Sequence, residues 1–400
     1  MMSILNKTLA SSRIHKTQGI LKFSRSINVE TTVFYSRGGL FKNSWIAPLQ
    51  QRKNSRHFLV MDRNIEKLYG SKVFAFLKQN GLKVNEVVIA PGERSKSLSV
   101  YKRLINSIVT LGVDRDSYIL ALGGGVVNNV AGFVASTLYR GIGLIQIPTT
   151  LLAQLDATID FKQAINSPYG KNQLGSYYSA SAVVVDPDLL QTLPLRQLRS
   201  GLGEAIKHAL IEDQQLFSYL EDYHGDLRDK EFLDDVIVRT VQLKVLLLNK
   251  SNDEKDLEML PQYGHAIGHA LENLSHYKLL HGEAIAIGMC VMSEIANVLG
   301  VSSVKVMEKH YQIMSKFKLP TIIPNYISDQ SILAAIRHDK YFLRNLRSVL
   351  TSNVGSIANV AEDPAKYVFN IESKVIKTCL SRNRNKTLIN QRVKIWTKKN

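Results

Sequence analysis

Two histidines four residues apart, His265 and His269, fall on one face of a helix that the spacing predicts over 263–275, and a third, His281, opens the next. Upstream, Glu204 and Lys207 stand at i,i+3 in a helix predicted over 199–222, so a carboxylate and an ammonium share its face. A divalent cation with three protein ligands and one open position needs a His/His/Glu set of this kind. His265 is followed by alanine rather than glutamate, which removes the HExxH metalloprotease pattern. A lone histidine is more often a satisfied core residue. Two at helical spacing with a third leave the core and metal readings both open.

A second candidate site is Gly123-Gly124-Gly125, between a strand predicted over 117–122 and a helix over 126–138. Glycine lets backbone N–H groups approach a pyrophosphate, and the helix N-terminus adds partial positive charge. The GxGxxG spacing is absent, and a tight strand–helix turn explains the glycines as well. Asp62 ends an earlier strand, where an acid can hold ribose hydroxyls. Asp156, Lys162, Lys171 and Asn172 follow Pro148-Thr149-Thr150 and flank a turn at Ser167-Pro168-Tyr169-Gly170. Such lysines are usually solvated, but they can gather phosphate oxygens.

The elements that must position these residues change character along the chain. From His57 to Pro148, short apolar runs alternate with helical spacing and are punctuated by Asn80-Gly81, Pro91-Gly92, Gly112 and Pro148. That alternation predicts a parallel sheet covered by helices. Beyond about residue 190 the segments 199–222, 231–250, 263–275, 282–299 and 303–317 all read as helix. The expected architecture is an α/β nucleotide-binding domain (57–190) and a mostly α-helical domain (191–373). Between them lies the default cleft for a site.

The formal charge is +17 over 400 residues, but it is not spread evenly. Residues 1–56 carry +9, 374–400 carry another +9, and 57–373 carry −1. The two ends therefore read as a basic N-terminal extension and a basic C-terminal tail on a neutral body. Nucleic acid is thus not an expected partner, although basic ends can bind polyanions. Two cysteines suit a reducing compartment and exclude a disulfide framework, and no apolar run reaches a membrane span. A cytoplasmic location is the expectation, while the acid-free first 29 residues also have the composition of an organelle transit peptide.

Taken together, the motifs resemble the sugar phosphate cyclases, dehydroquinate synthase and its relatives, over about 57–350. The resemblance is carried by Pro91-Gly92-Glu93-Arg94-Ser95-Lys96, the stretch Ala121 to Phe133, Arg140-Gly141 and Ile147 to Leu152. It continues through Gly170-Lys171-Asn172-Gln173-Leu174-Gly175, Gly203 to Lys207, Tyr263 to Ala270 and His281 to Gly288. It implies a two-domain fold, NAD, a divalent metal (zinc or cobalt), a small sugar phosphate substrate and a homodimer. Matching positions give Glu204, His265 and His281 as metal ligands. They give Asp62, Asn64, Glu93, Lys96, Gly124, Gly125, Asn129, Thr149, Thr150 and Thr192 as NAD contacts. Asp156, Lys162, Lys207, Lys244 and His269 would process the substrate. Arg140, Lys171, Asn172, Gln262 and Lys340 would bind it, Arg140 reaching the neighbouring subunit's site. The implied chemistry is oxidation of a hydroxyl, elimination of phosphate, return of the hydride and an intramolecular aldol closure, with no net oxidation.

The departures point to the substrate. Asp160-Phe161-Lys162-Gln163-Ala164 stands where dehydroquinate synthases have Gly-Gly-Lys-Thr-Gly, and Lys162 to Asn166 resembles the inosose synthase pattern instead. Asn129 replaces an aspartate, Glu258 an arginine, Gln262 an asparagine and Tyr341 a second lysine after Lys340. An acid at position 258 would repel a substrate carboxylate. The leading expectation is therefore a 2-deoxy-scyllo-inosose synthase-like lyase acting on glucose 6-phosphate, with 3-dehydroquinate synthase as the alternative. A metal-dependent polyol dehydrogenase, which would accumulate NADH, and a non-enzymatic polyanion binder working through the basic ends are the other classes weighed.

Overall fold

The computed structural model describes residues 15–17, 20–22, 30–168, 170–251, 257–338, 342, 344–360 and 367–396. Residues Met1–Thr31 form one unit, whose described part is an antiparallel pair of strands, β1 (His15–Thr17) and β2 (Ile20–Lys22). Residues Thr32–Asn400 form the other.

The larger unit is built on a six-stranded sheet in the order β3-β10-β7-β6-β4-β5, parallel throughout. Its strands are β3 (Thr32–Tyr35), β4 (Arg56–Asp62), β5 (Lys83–Ile89), β6 (Tyr118–Gly123), β7 (Gly143–Pro148) and β10 (Ala182–Val185). Between β7 and β10 the chain makes an antiparallel hairpin of β8 (Lys162–Ser167) and β9 (Gly170–Tyr177). The central strands are nearly continuous apolar runs because both faces are covered. Alternate residues serve alternate cores. Phe58, Val60, Ile119, Ala121 and Leu144 face the core shared with the helical part. Leu59, Met61, Leu120, Leu122, Ile145 and Ile147 face the opposite layer.

That opposite layer overturns the expected boundary at residue 56. Leu40, Trp45, Ile46 and Leu49 are fully buried in it, and the Trp45 indole N–H donates to the Leu40 carbonyl at 3.1 Å. β3 is an edge strand of the sheet. Charge located the basic segment correctly, but charges lie on its surface while its apolar side closes the sheet. The basic C-terminal tail is corrected in the same way. The helix Ser373–Trp396 places Ile376, Cys379 and Leu380 in the main core, at the i, i+3, i+4 spacing of one face. The helices expected over 231–250, 263–275, 282–299 and 303–317 form, whereas 199–222 is two, Leu195–Ile211 and Gln214–Asp222, the second capped by the Asp213 carboxylate, and Asp329–Ile336 forms where no helix was expected. No described helix is long and apolar enough to cross a membrane.

Beneath the helix carrying His265 lies a buried polar pair. The Tyr263 hydroxyl donates to His310 Nε2 at 3.0 Å, and His310 Nδ1–H donates to the Val306 carbonyl at 2.9 Å. Burial holds the His310 imidazole neutral, with its pKa lowered to about 4. Between pH 6.5 and 4 the unfolded chain binds this proton and the folded one does not. Stability present above pH 6.5 is thus lost as pH falls through 4, by about 3 kcal/mol. Replacing His310 with glutamine is expected to flatten the acid limb of a urea unfolding series between those values. An unchanged limb would show that other groups set it.

Candidate active site

Strand register assembles the first half of the site. Met61 pairs with Leu122, so Asp62 and Gly123 leave the sheet side by side. Gly123 pairs with Pro148, which brings Gly124 beside Thr149. The chain order reverses between β4 and β6, the switch point where open parallel sheets bind ligands. Gly124 caps the helix Gly125–Thr137, and a Cβ there would lie 3.0 Å from the Thr150 methyl. The Asn128 amide donates to the Gly123 and Gly124 carbonyls at 2.7 and 3.0 Å, fixing the turn. Thr149 Oγ1 is buried without a hydrogen-bond partner among the described residues, so a bound group can use it. Asp62 Oδ1 accepts from the Asn64 and Ile65 N–H groups at 2.8 and 3.1 Å, and the Thr192 hydroxyl is 2.6 Å from Tyr69. Asn64 is exposed, and Asn129 is buried at the start of the second turn of the Gly125–Thr137 helix.

The second half is held by close helix crossings. The Gly282 N–H donates to Ser200 Oγ at 3.0 Å, and a Cβ on Gly282 would lie 1.7 Å from the Ser200 carbonyl oxygen. Only glycine lets Leu195–Ile211 and His281–Val298 approach this far, and that approach puts Glu204 opposite His281. Gly264 adopts φ +79°, and its carbonyl oxygen would lie 2.1 Å from a Cβ on Gly288, so the His265–Leu274 helix also packs closely. Gly282→Ala is expected to cost about 1–3 kcal/mol or more by overpacking. A melting temperature equal to that of the unmodified protein would contradict the crossing.

At the centre, His265 Nε2 and His281 Nε2 lie 3.3 and 3.2 Å from the same oxygen, Glu204 Oε1. The far sides of both rings are held. His265 Nδ1 donates to the Tyr263 carbonyl at 3.2 Å, and His281 Nδ1 to Glu272 Oε2 at 3.0 Å. With Nδ1 donating, both Nε2 atoms face one carboxylate oxygen, and a cation that displaces the His281 Nε2 proton would meet two imidazole lone pairs and that oxygen. Glu204 Oε2 is taken by Lys207, whose ammonium also donates to the Pro261 carbonyl at 2.9 Å. Burial raises the Glu204 pKa, but Lys207 and the two imidazoles outweigh it and hold the carboxyl well below its ordinary range. Burial lowers His281, and Glu272 with Glu204 more than reverses this, to about 9. Two overlapping sets, His269/Glu272/His281 and Asp156/Glu204/His208, also bring donors within 4.8 Å. Their carboxylates Glu272 and Asp156 are already paired with Lys171 and Lys244. His269 has no hydrogen-bond partner among the described residues, and burial and His265 keep it neutral by lowering its pKa well below the ordinary value.

The lysines divide into two groups. Lys171 donates to Glu272 Oε1 at 2.7 Å, lies 3.5 Å from Glu93 and stands over the Tyr277 ring. Beside it, Lys96 donates to Asn172 Oδ1, and Asn166 bridges Glu93 to the Asn172 N–H. Burial lowers the Lys96 pKa to about 8. The other group joins Lys162 to Asp160 at 2.9 Å, and Lys244 to Asp156 and, at 3.7 Å, to Asp160. Burial opposes the Lys244 charge, but Asp156 and Asp160 raise its pKa to about 12. Gln262 is half-buried, next in sequence to Pro261, whose carbonyl accepts from Lys207. Arg140 is not brought to this cluster. It is exposed on a left-handed turn at φ +66°, past the far end of the Gly125–Thr137 helix, about 20 Å from Gly125 by helix rise. Lys340 and Tyr341, and the Glu258 side chain, lie outside the described residues.

Glu272 escaped the sequence reading although it carries both a lysine and an imidazole. Its signal was positional: 265, 269 and 272 are i, i+4 and i+7 on one helical face.

A nucleotide-type switch point joined to a helical His/His/Glu centre defines the class of two-domain α/β–α enzymes to which sugar phosphate cyclases conform. The chain belongs to the 3-dehydroquinate synthase family: the family's N-terminal model matches residues 86–200 and its C-terminal model residues 201–342. It is 38% identical over 317 residues to 3-dehydroquinate synthase from Thermosynechococcus vestitus, covering 78% of this chain and 86% of the relative. Among solved structures it is similar to 2-epi-5-epi-valiolone synthase from Streptomyces hygroscopicus subsp. jinggangensis, with NAD+ and Zn2+ bound. The TM-score is 0.80 at 26% identity, over 91% of this chain and 98% of that one. It is also similar to 2-deoxy-scyllo-inosose synthase complexed with carbaglucose-6-phosphate, NAD+ and Co2+, with TM-score 0.78 and 26% identity over 93% and 100% of the two chains.

Proposed function

We propose that this protein is a 3-dehydroquinate synthase, closing the seven-carbon dehydroquinate precursor into a carbocycle with loss of phosphate. The observation that carries this reading is the 38% identity to a 3-dehydroquinate synthase, against 26% to the inosose and valiolone synthases. The reading reverses the order expected from sequence. Glu258 argued against a substrate carboxylate, but one side chain weighs less than similarity sustained over 317 residues. The inosose-like stretch Lys162 to Asn166 keeps 2-deoxy-scyllo-inosose synthase as the second reading.

Glu204, His265 and His281 would hold a zinc or cobalt ion. Gly124, Gly125, Thr149, Thr150 and Asp62 would line the NAD site, with Glu93, Lys96, Asn64, Asn129 and Thr192 around it. When bound, these groups supply reversible hydride acceptance and acidify substrate hydroxyls. The chain's own residues do the rest. Neutral His269, with no hydrogen-bond partner among the described residues, can take or return a proton. Lys162, Lys171, Lys244 and Asn172 can bind and orient the anionic substrate. Lys207, held by Glu204 and the Pro261 carbonyl, fixes the centre's geometry. A site that holds one flexible chain in place supplies the proximity that cyclisation needs.

The test is turnover of the dehydroquinate precursor by purified protein with NAD and zinc or cobalt. One phosphate should appear per precursor consumed, with no accumulation of NADH absorbance. Stoichiometric NADH would instead move the chain to the polyol dehydrogenases.

A further inference from the structure

Three buried ammonium groups of the site have a carboxylate, Lys207 with Glu204, Lys171 with Glu272 and Lys244 with Asp156, while Lys96 donates to the Asn172 amide oxygen. Lys162 is the most exposed, with 40% of its side chain reachable by solvent, and its one ion-pair partner among the described residues is Asp160. A single oxygen, Asp160 Oδ2, lies 2.9 Å from Lys162 Nζ and 3.7 Å from Lys244 Nζ. It bridges two cations that otherwise repel each other, as a non-bridging phosphate oxygen would. Asp160 stands in irregular chain between Ala157 and β8, where the dehydroquinate synthase pattern described above has glycine.

We propose that Asp160 is a specificity-determining internal counter-ion, which occupies the lysine pair Lys162/Lys244 until the phosphate group of the substrate displaces it. The proposal rests on the reading that this site binds a sugar phosphate. The pair Lys162–Asp160 must separate before phosphate binds, so both the substrate phosphate and the released phosphate are held less tightly. A chain with glycine at this position has no such competitor. The side chain acts only through the lysines, so it is a positioning residue.

The experiment is calorimetric titration of the full-length protein with inorganic phosphate. Asp160→Asn keeps the side-chain size and removes the charge. It should bind phosphate about tenfold tighter than the unmodified protein, a change of about 1.4 kcal/mol. Asp160→Glu should restore the weaker binding, which a merely structural role would not require. Lys162→Ala in the unmodified background should weaken it. Equal or weaker binding by Asp160→Asn, with Lys162→Ala still weakening it, overturns the role of Asp160 alone. Phosphate binding insensitive to Lys162→Ala overturns the placement of the phosphate and the proposal with it. A tenfold gain in a protein that does not turn over the dehydroquinate precursor upholds the counter-ion and counts only against the proposed activity.

Discussion

His265→Ala is expected to lose bound metal and activity together. Its imidazole supplies one of the two nitrogens that converge on Glu204 Oε1, and Tyr263 holds the ring in place from the other side. The alanine variant leaves an incomplete centre beside a buried carboxylate. Charge stabilisation by such a centre is worth several kcal/mol in the transition state. With each 1.36 kcal/mol worth a factor of ten, phosphate release should fall roughly 10³-fold or more. Elemental analysis of the purified variant should find it largely free of zinc and cobalt. Full occupancy would contradict the ligand set.

Glu272→Gln should cost about 10–100-fold in metal affinity, the usual effect of removing a group that orients a ligand. In the unmodified chain one carboxylate serves two cations, Lys171 through Oε1 and His281 through Oε2. Burial raises the Glu272 pKa, but Lys171 and His281 hold it far below the ordinary carboxylate range. An amide has one acceptor oxygen to offer them. Zinc titration followed by phosphate release should show weaker loading, with much of the activity returning at saturating metal. Unaltered metal affinity would show that His281 is oriented without Glu272.

Much of this was legible in the sequence where local chemistry and tertiary role coincide. β4, β6 and β7 are apolar runs closed by Asp62, Gly123 and Pro148, and the histidines at 265 and 269 carry their helical face in their spacing. β8 and β9 were not legible as strands, because Lys162, Gln163, Asn166, Lys171, Asn172 and Gln173 read as a polar loop. Their hairpin separates Lys162, paired with Tyr177 in register, from Lys171 and Asn172 near the turn. Neighbours in sequence thus join different lysine groups. The boundaries at 56 and 374 failed for another reason. Net charge reports surface composition, whereas Leu40, Trp45, Ile376 and Leu380 enter the core through a few apolar positions among basic ones. The pairing of Asp160 with both Lys162 and Lys244 depends on a helix more than 80 residues away, and no local pattern could carry it.

The measurement that bears most directly on the account offers the purified protein, with NAD and zinc or cobalt, the dehydroquinate precursor and glucose 6-phosphate in separate reactions, and identifies each product by mass spectrometry. The account predicts 3-dehydroquinate and phosphate in equal amounts from the first, and no carbocycle from the second. 2-Deoxy-scyllo-inosose from glucose 6-phosphate, with the dehydroquinate precursor left intact, would contradict it.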